Sequence, residues 1–227
     1  MKPFKVTEGV FQVGGPDMTA PEDCCFFLVD MGRPILIDTG AGGDRRRFLN
    51  NIEDLGYSPR DIKLVVLTHC HIDHVGGAVF LADKYKIPLA IHELDAPPVE
   101  EGDTRRTAAN WYGMTLPPTR VKNHLRGERG VIEGGASPLR WMHTPGHTPG
   151  SISLYLDNGM YRVLSGQDIH GPFYASFGSD LDDWGASMRA LLDLEADILC
   201  EGHFGIRRPS SEVRLFIEDY LHSYGKA

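Results

Sequence analysis

A cluster of metal-ligating side chains follows the apolar run 64–67 and constrains the fold more than any other feature of the chain. Three histidines and one aspartate fall within six residues, as His69, His71, Asp73 and His74. Such polar side chains need partners once they leave water, so four of them at the end of a buried strand are costly in an ordinary core. One divalent cation satisfies all four. The H-x-H-x-D-H spacing at a strand-to-loop junction therefore predicts a metal site, in preference to scattered surface histidines.

Three later segments repeat the arrangement of an apolar strand followed by a glycine-containing turn. These turns carry His147, Asp168 and His203. Glycine lets the backbone turn sharply and approach an ion closely. Together with the first motif these residues give seven ligands, which are too many for one tetrahedral ion and suitable for two. Nitrogen and oxygen donors fit zinc best, and iron, manganese or cobalt stay open.

The order of these motifs, from Asp38-Thr39-Gly40 to the last histidine, resembles that of the metallo-β-lactamase fold superfamily of hydrolases. The resemblance implies a four-layer αββα sandwich that holds two divalent metal ions. It implies the following ligands: His69, His71 and His147 for the first ion, Asp73, His74 and His203 for the second, and Asp168 as the bridge between them. It also implies that Asp38 supports the metal loop without binding metal. A plain turn residue at the end of a strand is the alternative for Asp38.

Two positions depart from the pattern of this family. Gln167 stands between Gly166 and Asp168, where the family usually has glycine directly before the bridging aspartate. The last histidine follows Glu201-Gly202, where the family usually has Pro-Gly. Neither change removes a ligand, but both can alter the metal spacing and the preferred metal.

Residues 1–227 are expected to form a single domain, because no linker, repeat or low-complexity segment divides the chain. Apolar runs predict strands near residues 4–13, 25–30, 34–38, 63–68, 88–92, 139–142, 151–157, 160–166 and 197–200. Helical spacing predicts helices over 44–55, 75–86, 181–194 and 210–224, the last with Ser210 or Ser211 as its cap. Strands that alternate with helices favour two sheets between outer helices, in agreement with the resemblance.

The longest segment between ligands, 93–129, is expected to form a lid over the metal cleft. An ordinary surface subdomain is the alternative. The aromatic and imidazole side chains of this segment and of the turn after Asp168 are candidate substrate-binding residues: Trp111, Tyr112, His170, Phe173 and Tyr174. His170, Tyr174 and His143 are also candidates for the proton donor to the leaving group, because they lie within a few residues of ligands.

Charge and cysteine content bear on partners and compartment. The formal net charge of −8 disfavours the nucleases that share this fold, and no nucleic-acid partner is expected. Arg45-Arg46-Arg47 is expected to be a solvated helix face. The N-terminus lacks the apolar core of a signal peptide, so we expect a cytoplasmic chain without a membrane partner. The four cysteines are expected to be reduced structural thiols, and a thiolate ligand from Cys70 or Cys200 is the alternative.

The metal pair predicts the reaction. Two cations about 3.5–4 Å apart can share a water and lower its pKa, so a metal-bridging hydroxide is the expected nucleophile. Asp73 is expected both to bind metal and to orient that hydroxide. The leading prediction is a hydrolase of an ester, thioester, lactone or related small substrate. Small enzymes of this type often pair, so a homodimer stays open.

Other members of the superfamily supply the alternatives. No glutathione-binding domain follows His203, which weakens a glyoxalase II assignment, and Gly171 occupies the place where a quorum-sensing lactonase has tyrosine. A mononuclear iron persulfide dioxygenase is disfavoured because the ligand set of the second site is complete. Flavodiiron enzymes usually replace the second histidine of the first motif by glutamate, and His71 disfavours them. A non-catalytic, metabolite-binding signalling protein on the same fold stays open.

Overall fold

The computed structural model describes residues 1–227, which form thirteen strands in two mixed sheets together with five α-helices and three short 3₁₀ helices. The first sheet has seven strands in chain order: β1 Phe4–Thr7, β2 Val10–Gly14, β3 Phe26–Val29, β4 Ile35–Ile37, β5 Leu64–Val66, β6 Leu89–His92 and β7 Asn123–Leu125. Strands β1 to β4 pair antiparallel, whereas β4 to β7 pair parallel. The parallel strands end at one edge of the sheet, where ligands gather in α/β folds.

The second sheet has six strands: β8 Arg129–Ile132, β9 Leu139–His143, β10 Ile152–Asp157, β11 Arg162–Gln167, β12 Ile198–Glu201 and β13 Gly205–Arg207. Their spatial order is β13-β12-β11-β10-β9-β8, and only β11 and β12 are parallel to each other. Helix α4 connects this parallel pair. The carboxyl ends of β11 and β12 therefore lie side by side and bring the turns after Gln167 and Glu201 together.

Helices cover the outer faces of both sheets: α1 Arg45–Asp54, α2 Ile72–Tyr85 and α3 Ala96–Glu101 on the first, α4 Leu181–Leu192 and α5 Ser210–Ser223 on the second. Successive residues of a strand face opposite sides of a sheet. Leu36 accordingly packs under α1 and α2, whereas its neighbours Ile35 and Ile37 pack against the second sheet. Leu164 and Leu199 likewise face α4 and α5. This layer order confirms the predicted αββα sandwich.

Most of the predicted elements are present, and the differences have local causes. The strand expected at 4–13 is a hairpin, because Gly9 adopts a φ of 71° and turns the chain between β1 and β2. Helix α2 begins at Ile72, three residues earlier than predicted, so its first turn contains Asp73. Neither predicted serine caps α5, whose N-cap is Pro209 and receives no side-chain hydrogen bond.

The elements that the sequence did not predict are short. They are α3, β7, β8 and β13, of three to six residues each. The segment 93–129 contains helix α3 near its beginning and strand β7 near its end. Strand β7 pairs parallel with β6 and forms the edge of the first sheet. No helix is long and apolar enough to cross a membrane.

Candidate metal centre

Each of the seven predicted ligands follows the carboxyl end of a strand. His69 lies two residues beyond the end of the apolar run that contains β5, and His71 is the N-cap of α2. His147, Asp168 and His203 follow β9, β11 and β12. The two sheets place these turns against each other, so residues that are distant in the chain form two adjoining groups. We call them the three-histidine cluster (His69, His71, His147 and Asp168) and the mixed cluster (Asp73, His74, Asp168 and His203).

The three-histidine cluster joins both sheets through its imidazole nitrogens. His71 Nδ1 lies 3.1 Å from His69 Nε2 and 2.9 Å from His147 Nε2. Asp168 Oδ2 lies 3.4 Å from His147 Nε2. All four side chains are buried. A tetrahedral ion with bonds of about 2.0–2.1 Å separates its ligand atoms by about 3.3 Å, so these spacings fit such an ion.

The mixed cluster combines two carboxylates with two imidazoles. His74 Nε2 lies 3.1 Å from Asp168 Oδ1 and 3.7 Å from Asp73 Oδ2. His203 Nε2 lies 3.2 Å from Asp73 Oδ2 and 3.4 Å from Asp168 Oδ2. The side chain of His203 is 27% exposed, whereas those of the other three are at most 7% exposed. The centre therefore opens to solvent beside His203.

Hydrogen bonds behind three of the rings fix which nitrogen of His69, His74 and His147 faces the clusters. Asp38 Oδ2 lies 2.8 Å from His74 Nδ1 and also accepts the Thr68 hydroxyl at 2.7 Å. Because that hydroxyl donates to Asp38, its oxygen accepts from His69 Nδ1 at 3.1 Å. His147 Nδ1 donates to the Pro172 carbonyl at 2.9 Å. The rings of His69, His74 and His147 are thus held with Nδ1 outward and Nε2 toward the clusters, whereas His71 faces its cluster with Nδ1.

Converging lone pairs and carboxylates give a test of whether the residues fit a metal. His74 Nε2 and Asp168 Oδ1 are buried, face each other and have no hydrogen-bond partner. Two acceptors in this position repel each other unless a proton or a cation lies between them. Position 202 also requires glycine, because a Cβ there would lie 2.3 Å from Asp168 Oδ1. The donor set, the spacings and the orphaned atoms all fit a divalent cation in each cluster.

The two clusters differ in charge. Burial lowers the pKa of His71 to about 4 and that of His147 to about 3, so these rings are neutral near pH 7. Burial also opposes a charge on His203, but Asp168 and Asp73 raise its pKa to about 10. Burial opposes a charge on His74 as well, but the surrounding groups, Asp168 and Asp38 among them, raise its pKa well above the ordinary value. A metal that binds the mixed cluster must therefore displace protons, whereas the imidazoles of the three-histidine cluster are already deprotonated.

Aromatic side chains from two loops form a wall beside the three-histidine cluster. Trp111 packs against Tyr174 at 4.9 Å and Phe177 at 4.8 Å between ring centroids. Phe177 in turn lies 4.3 Å from the His71 ring. Trp111 and Tyr174 are about half exposed, whereas Phe177 is buried. Phe177 lies in the turn after Asp168 that the sequence offers as a candidate wall for substrate, together with Phe173 and Tyr174.

The remaining candidates for substrate contact have different surroundings. Burial, and next the charge of Asp73, raise the pKa of Tyr112, so the charge of the mixed cluster acts on this phenol. Phe173 packs behind His147, against Trp184 and Tyr224 at 5.2 and 4.9 Å. Its position is that of a core residue between the ligand loop and α4.

Two of the candidate proton donors are held by hydrogen bonds. His170 Nδ1 lies 2.9 Å from Glu201 Oε1, and the His170 ring lies 5.1 Å from that of His203. His143 donates through Nε2 to the Pro149 carbonyl at 2.8 Å, and its ring stacks on His92. His170 therefore borders the mixed cluster, whereas His143 supports the loop that follows His147.

A cleft of ≈ 620 Å³ opens beside His203. Phe4 and Met18 line one part of it, and Phe204 and Arg208 line another. The guanidinium of Arg208 makes one hydrogen bond, to the Val6 carbonyl at 3.4 Å. The metal centre is thus flanked by an aromatic wall beside the three-histidine cluster and by a mixed polar and apolar cleft beside the mixed cluster.

The four cysteines are buried and unpaired with one another. Burial raises the pKa of Cys200 to about 12 and that of Cys70 well above its ordinary value, so both are thiols at neutral pH. Cys200 packs between the sheets, and Cys70 donates to the Arg106 carbonyl. The predicted structural role fits both residues better than a thiolate ligand.

Comparisons with known proteins agree with this fold and centre. The family model for the Metallo-beta-lactamase superfamily matches residues 24–203. The probable metallo-hydrolase YflN of Bacillus subtilis is 26% identical over 209 residues, which cover 78% of this chain and 75% of that protein. The acyl-coenzyme A thioesterase MBLAC2 of Gallus gallus is 30% identical over 206 residues, which cover 77% of this chain and 69% of that protein.

A solved structure shows the same fold. The class B3 di-zinc metallo-β-lactamase LRA-12 from an Alaskan soil metagenome aligns with a TM-score of 0.82. The alignment covers 100% of this chain and 92% of that chain at 22% sequence identity. At this identity the likeness concerns the architecture of the two proteins.

Proposed function

The chain belongs to the metallo-β-lactamase superfamily, and on that premise we propose that it is a dinuclear metal-dependent hydrolase of small acyl esters, thioesters or lactones. Its relatives include proteins named as metallo-hydrolases, which supports hydrolysis as the reaction. Zinc is the metal that the nitrogen and oxygen donors favour, and iron or manganese are outcomes to be decided by metal analysis.

One observation carries the proposal of two metals, and it concerns Asp168. Its Oδ2 lies 3.4 Å from His147 Nε2 in the three-histidine cluster and 3.4 Å from His203 Nε2 in the mixed cluster. Its Oδ1 lies 3.1 Å from His74 Nε2. A buried carboxylate in contact with ligands of both groups fits two adjoining ions better than one. A single tetrahedral ion would leave three of the seven side chains without a partner.

Two divalent cations, when bound here, lower the pKa of a shared water toward neutrality and polarise the carbonyl group under attack. The side chains of the protein prepare the site for that chemistry. Asp168 fixes the distance between the clusters, and Asp73 offers a carboxylate that can orient the attacking water. Asp38, Thr68 and the Pro172 carbonyl hold the imidazole rings in the tautomer that binds metal.

The aromatic wall supports an acyl substrate. Trp111 and Tyr174 present about half of their surface to solvent, directly beside the His71 ring that Phe177 contacts. Large, rigid aromatic faces bind apolar groups at a low cost in side-chain entropy. We place the acyl group of the substrate on this wall. The match to a protein named as an acyl-coenzyme A thioesterase supports the same substrate class.

The opposite side of the centre accommodates the leaving group. The cleft beside His203 has room for a small polar group, and the Arg208 guanidinium offers N–H donors at its rim. In this orientation the scissile bond would lie between the aromatic wall and the cleft, beside the two clusters. Leaving groups that carry a negative charge are therefore preferred to neutral groups of the same size.

The test is a metal determination followed by assays on the same sample of protein. We expect close to two zinc, manganese or iron ions per chain and hydrolysis of acyl esters, thioesters or lactones. His147→Ala is the matched control, because it removes one ligand and should abolish both one ion and hydrolysis. One iron ion per chain with oxygen consumption on persulfides would assign the protein to the dioxygenases. Two ions without turnover of any acyl substrate would contradict the proposed hydrolysis.

A further inference from the structure

Asp95 is a fully buried carboxylate that lies outside both clusters and contacts both halves of the chain that supply them. It follows strand β6 at the beginning of the segment 93–129 and is 0% exposed. We propose that Asp95 is a positioning residue that holds His147 opposite His69 and His71. The affinity of the three-histidine cluster for metal depends on it. This inference rests on the proposed metal binding and is independent of the proposed hydrolysis.

The hydrogen bonds of Asp95 join the two ligand loops. Its Oδ2 accepts the backbone N–H of Cys70 at 2.9 Å, between the ligands His69 and His71. The same oxygen accepts the hydroxyl of Thr148 at 2.6 Å, directly after His147. Its Oδ1 accepts the backbone N–H of Gly150 at 2.8 Å. One side chain therefore fixes the distance between a loop of the first sheet and a loop of the second.

This contact is demanding in both charge and space. Asp95 takes part in none of the ion pairs of the structure. Its buried carboxylate is stabilised by three hydrogen bonds instead. A Cβ at Gly150 would lie 2.6 Å from Asp95 Oδ1, so the loop after His147 fits against the carboxylate only because it has glycine there. The arrangement specifies a carboxylate and one separation of the loops.

Asp38 offers a comparison within the same centre. It contacts the ring of His74 directly and so acts on one ligand of the mixed cluster. Asp95 contacts no ligand ring and acts through the backbones on both sides of the three-histidine cluster. The cluster needs this support, because His71 Nδ1 and His147 Nε2 must come within 2.9 Å although they belong to different sheets. Without Asp95, part of the free energy of metal binding would be needed to order the two loops, and the affinity for metal would be lower.

The substitution Asp95→Asn tests this role. An amide offers one acceptor oxygen and one N–H donor group, so it cannot accept from all three donors that converge on Asp95. We expect the dissociation constant of zinc at the three-histidine cluster to rise about 10- to 100-fold, the usual effect of losing a hydrogen-bond partner behind a metal ligand. The dissociation constant at the mixed cluster should change less than about threefold. Competition titrations of the metal-free protein against a chelator measure both constants.

The controls assign each equivalent of zinc to its cluster. His147→Ala marks the equivalent that belongs to the three-histidine cluster, and His203→Ala marks the other. Asp103→Asn is the matched control, because it makes the same substitution in the same segment at a partly exposed carboxylate that accepts only local N–H groups. It should leave both zinc constants unchanged.

If Asp95→Asn folds poorly, variants of Thr148 test the same hydrogen bonds from the donor side. Thr148→Val removes one of the three donors while it keeps the shape of the side chain, and Thr148→Ser keeps the hydroxyl. We expect the valine variant to weaken the same equivalent of zinc several-fold and the serine variant to restore it. A lower melting temperature with both zinc constants intact, or an equal rise in both, would show that Asp95 is only structural. Failure of the unaltered protein to bind zinc would contradict the proposed function instead.

Discussion

The two ligand clusters share Asp168 but prepare for a cation in opposite ways. The three-histidine cluster has neutral imidazoles, is fully buried and is divided between the sheets, and hydrogen bonds behind the rings of His69 and His147 hold it in place. The mixed cluster lies closer to solvent and carries two carboxylates, which face two imidazoles whose pKa values are raised, those of His74 and His203. In the first cluster, metal binding depends on how accurately the two sheets hold the neutral imidazoles in place. In the second cluster, metal binding depends on the displacement of protons by the cation.

The largest expected effect comes from removing what the clusters share. Asp168→Asn takes away the only carboxylate that contacts ligands of both groups. We expect the mixed cluster to lose its metal and kcat/KM to fall by more than about 100-fold, since losing a supporting residue alone costs 10- to 100-fold. His170→Ala should cost less than about tenfold, because its ring contacts Glu201 and borders the cluster without joining it. Equal losses in the two variants would refute the bridging role.

A smaller change should separate the clusters from each other. Asp38→Asn replaces the carboxylate oxygen that faces His74 Nδ1 by an amide N–H donor. This favours the tautomer with the proton on Nε2, which then lacks the lone pair that binds metal. We expect the affinity for metal at the mixed cluster to fall about 10- to 100-fold, with the three-histidine cluster nearly unaffected. Titration of the metal-free variant with zinc measures this. A loss that is equal at both clusters would mean that Asp38 supports the whole edge of the sheet.

The charge difference predicts a difference in pH dependence. The pKa of His203 is raised to about 10, so its proton stabilises the metal-free protein fully below about pH 6.5 and this contribution is lost as the pH rises through about 10. Because the pKa of His74 in the same cluster is also raised, between pH 6.5 and 8.5 we expect the affinity of the mixed cluster to rise by at least about tenfold per pH unit. The three-histidine cluster should vary little, because the pKa values of His71 and His147 lie near 4 and 3. Zinc titrations at three pH values give both slopes, and identical slopes would contradict the assignment.

The smallest expected effect concerns the aromatic wall, which lies on the side of the three-histidine cluster. Trp111→Ala should raise KM for substrates with long or aromatic acyl groups by about two- to tenfold, because one aromatic contact is lost. The metal content and the kcat for acetyl substrates should not change. Tyr161→Ala is the control, since that ring is comparably exposed in the turn between β10 and β11. A drop in metal content in the tryptophan variant would assign the wall a structural role.

The sequence predicted the sandwich and the membership of the superfamily, and both are confirmed. These features depend on local patterns, namely the apolar runs that precede His69, Asp168 and His203 and the spacing of the ligands. The single-domain organisation, the lid and the metal ligands stay predictions, although the structure brings all seven ligand side chains into two groups. Edge strands β7 and β13 escaped prediction because three residues with few apolar side chains give no periodic pattern.

The residues that the sequence missed act through contacts between distant parts of the chain. Asp95 belongs to no recognisable motif in the run Ile91-His92-Glu93-Leu94-Asp95. Only the fold shows that Gly150 and Thr148 donate hydrogen bonds to it. Glu201 was noted as a departure from the family pattern. In the structure its carboxylate accepts the N–H groups of His203 and Phe204 and pairs with His170. Long-range hydrogen bonds of this kind leave no spacing signature in a single sequence.

The division of the three-histidine cluster between the sheets also has a consequence for biosynthesis. His71 and His147 are 76 residues apart in the chain, so a ribosome that adds 5–20 residues per second needs about 4–15 s to pass from one to the other. During that interval the nascent chain carries the first ligand motif without the residues that complete it. Any ion captured then is held by half of a site. All seven candidate ligands are present only after translation has passed His203, so both clusters can be complete only near the end of synthesis of these 227 residues.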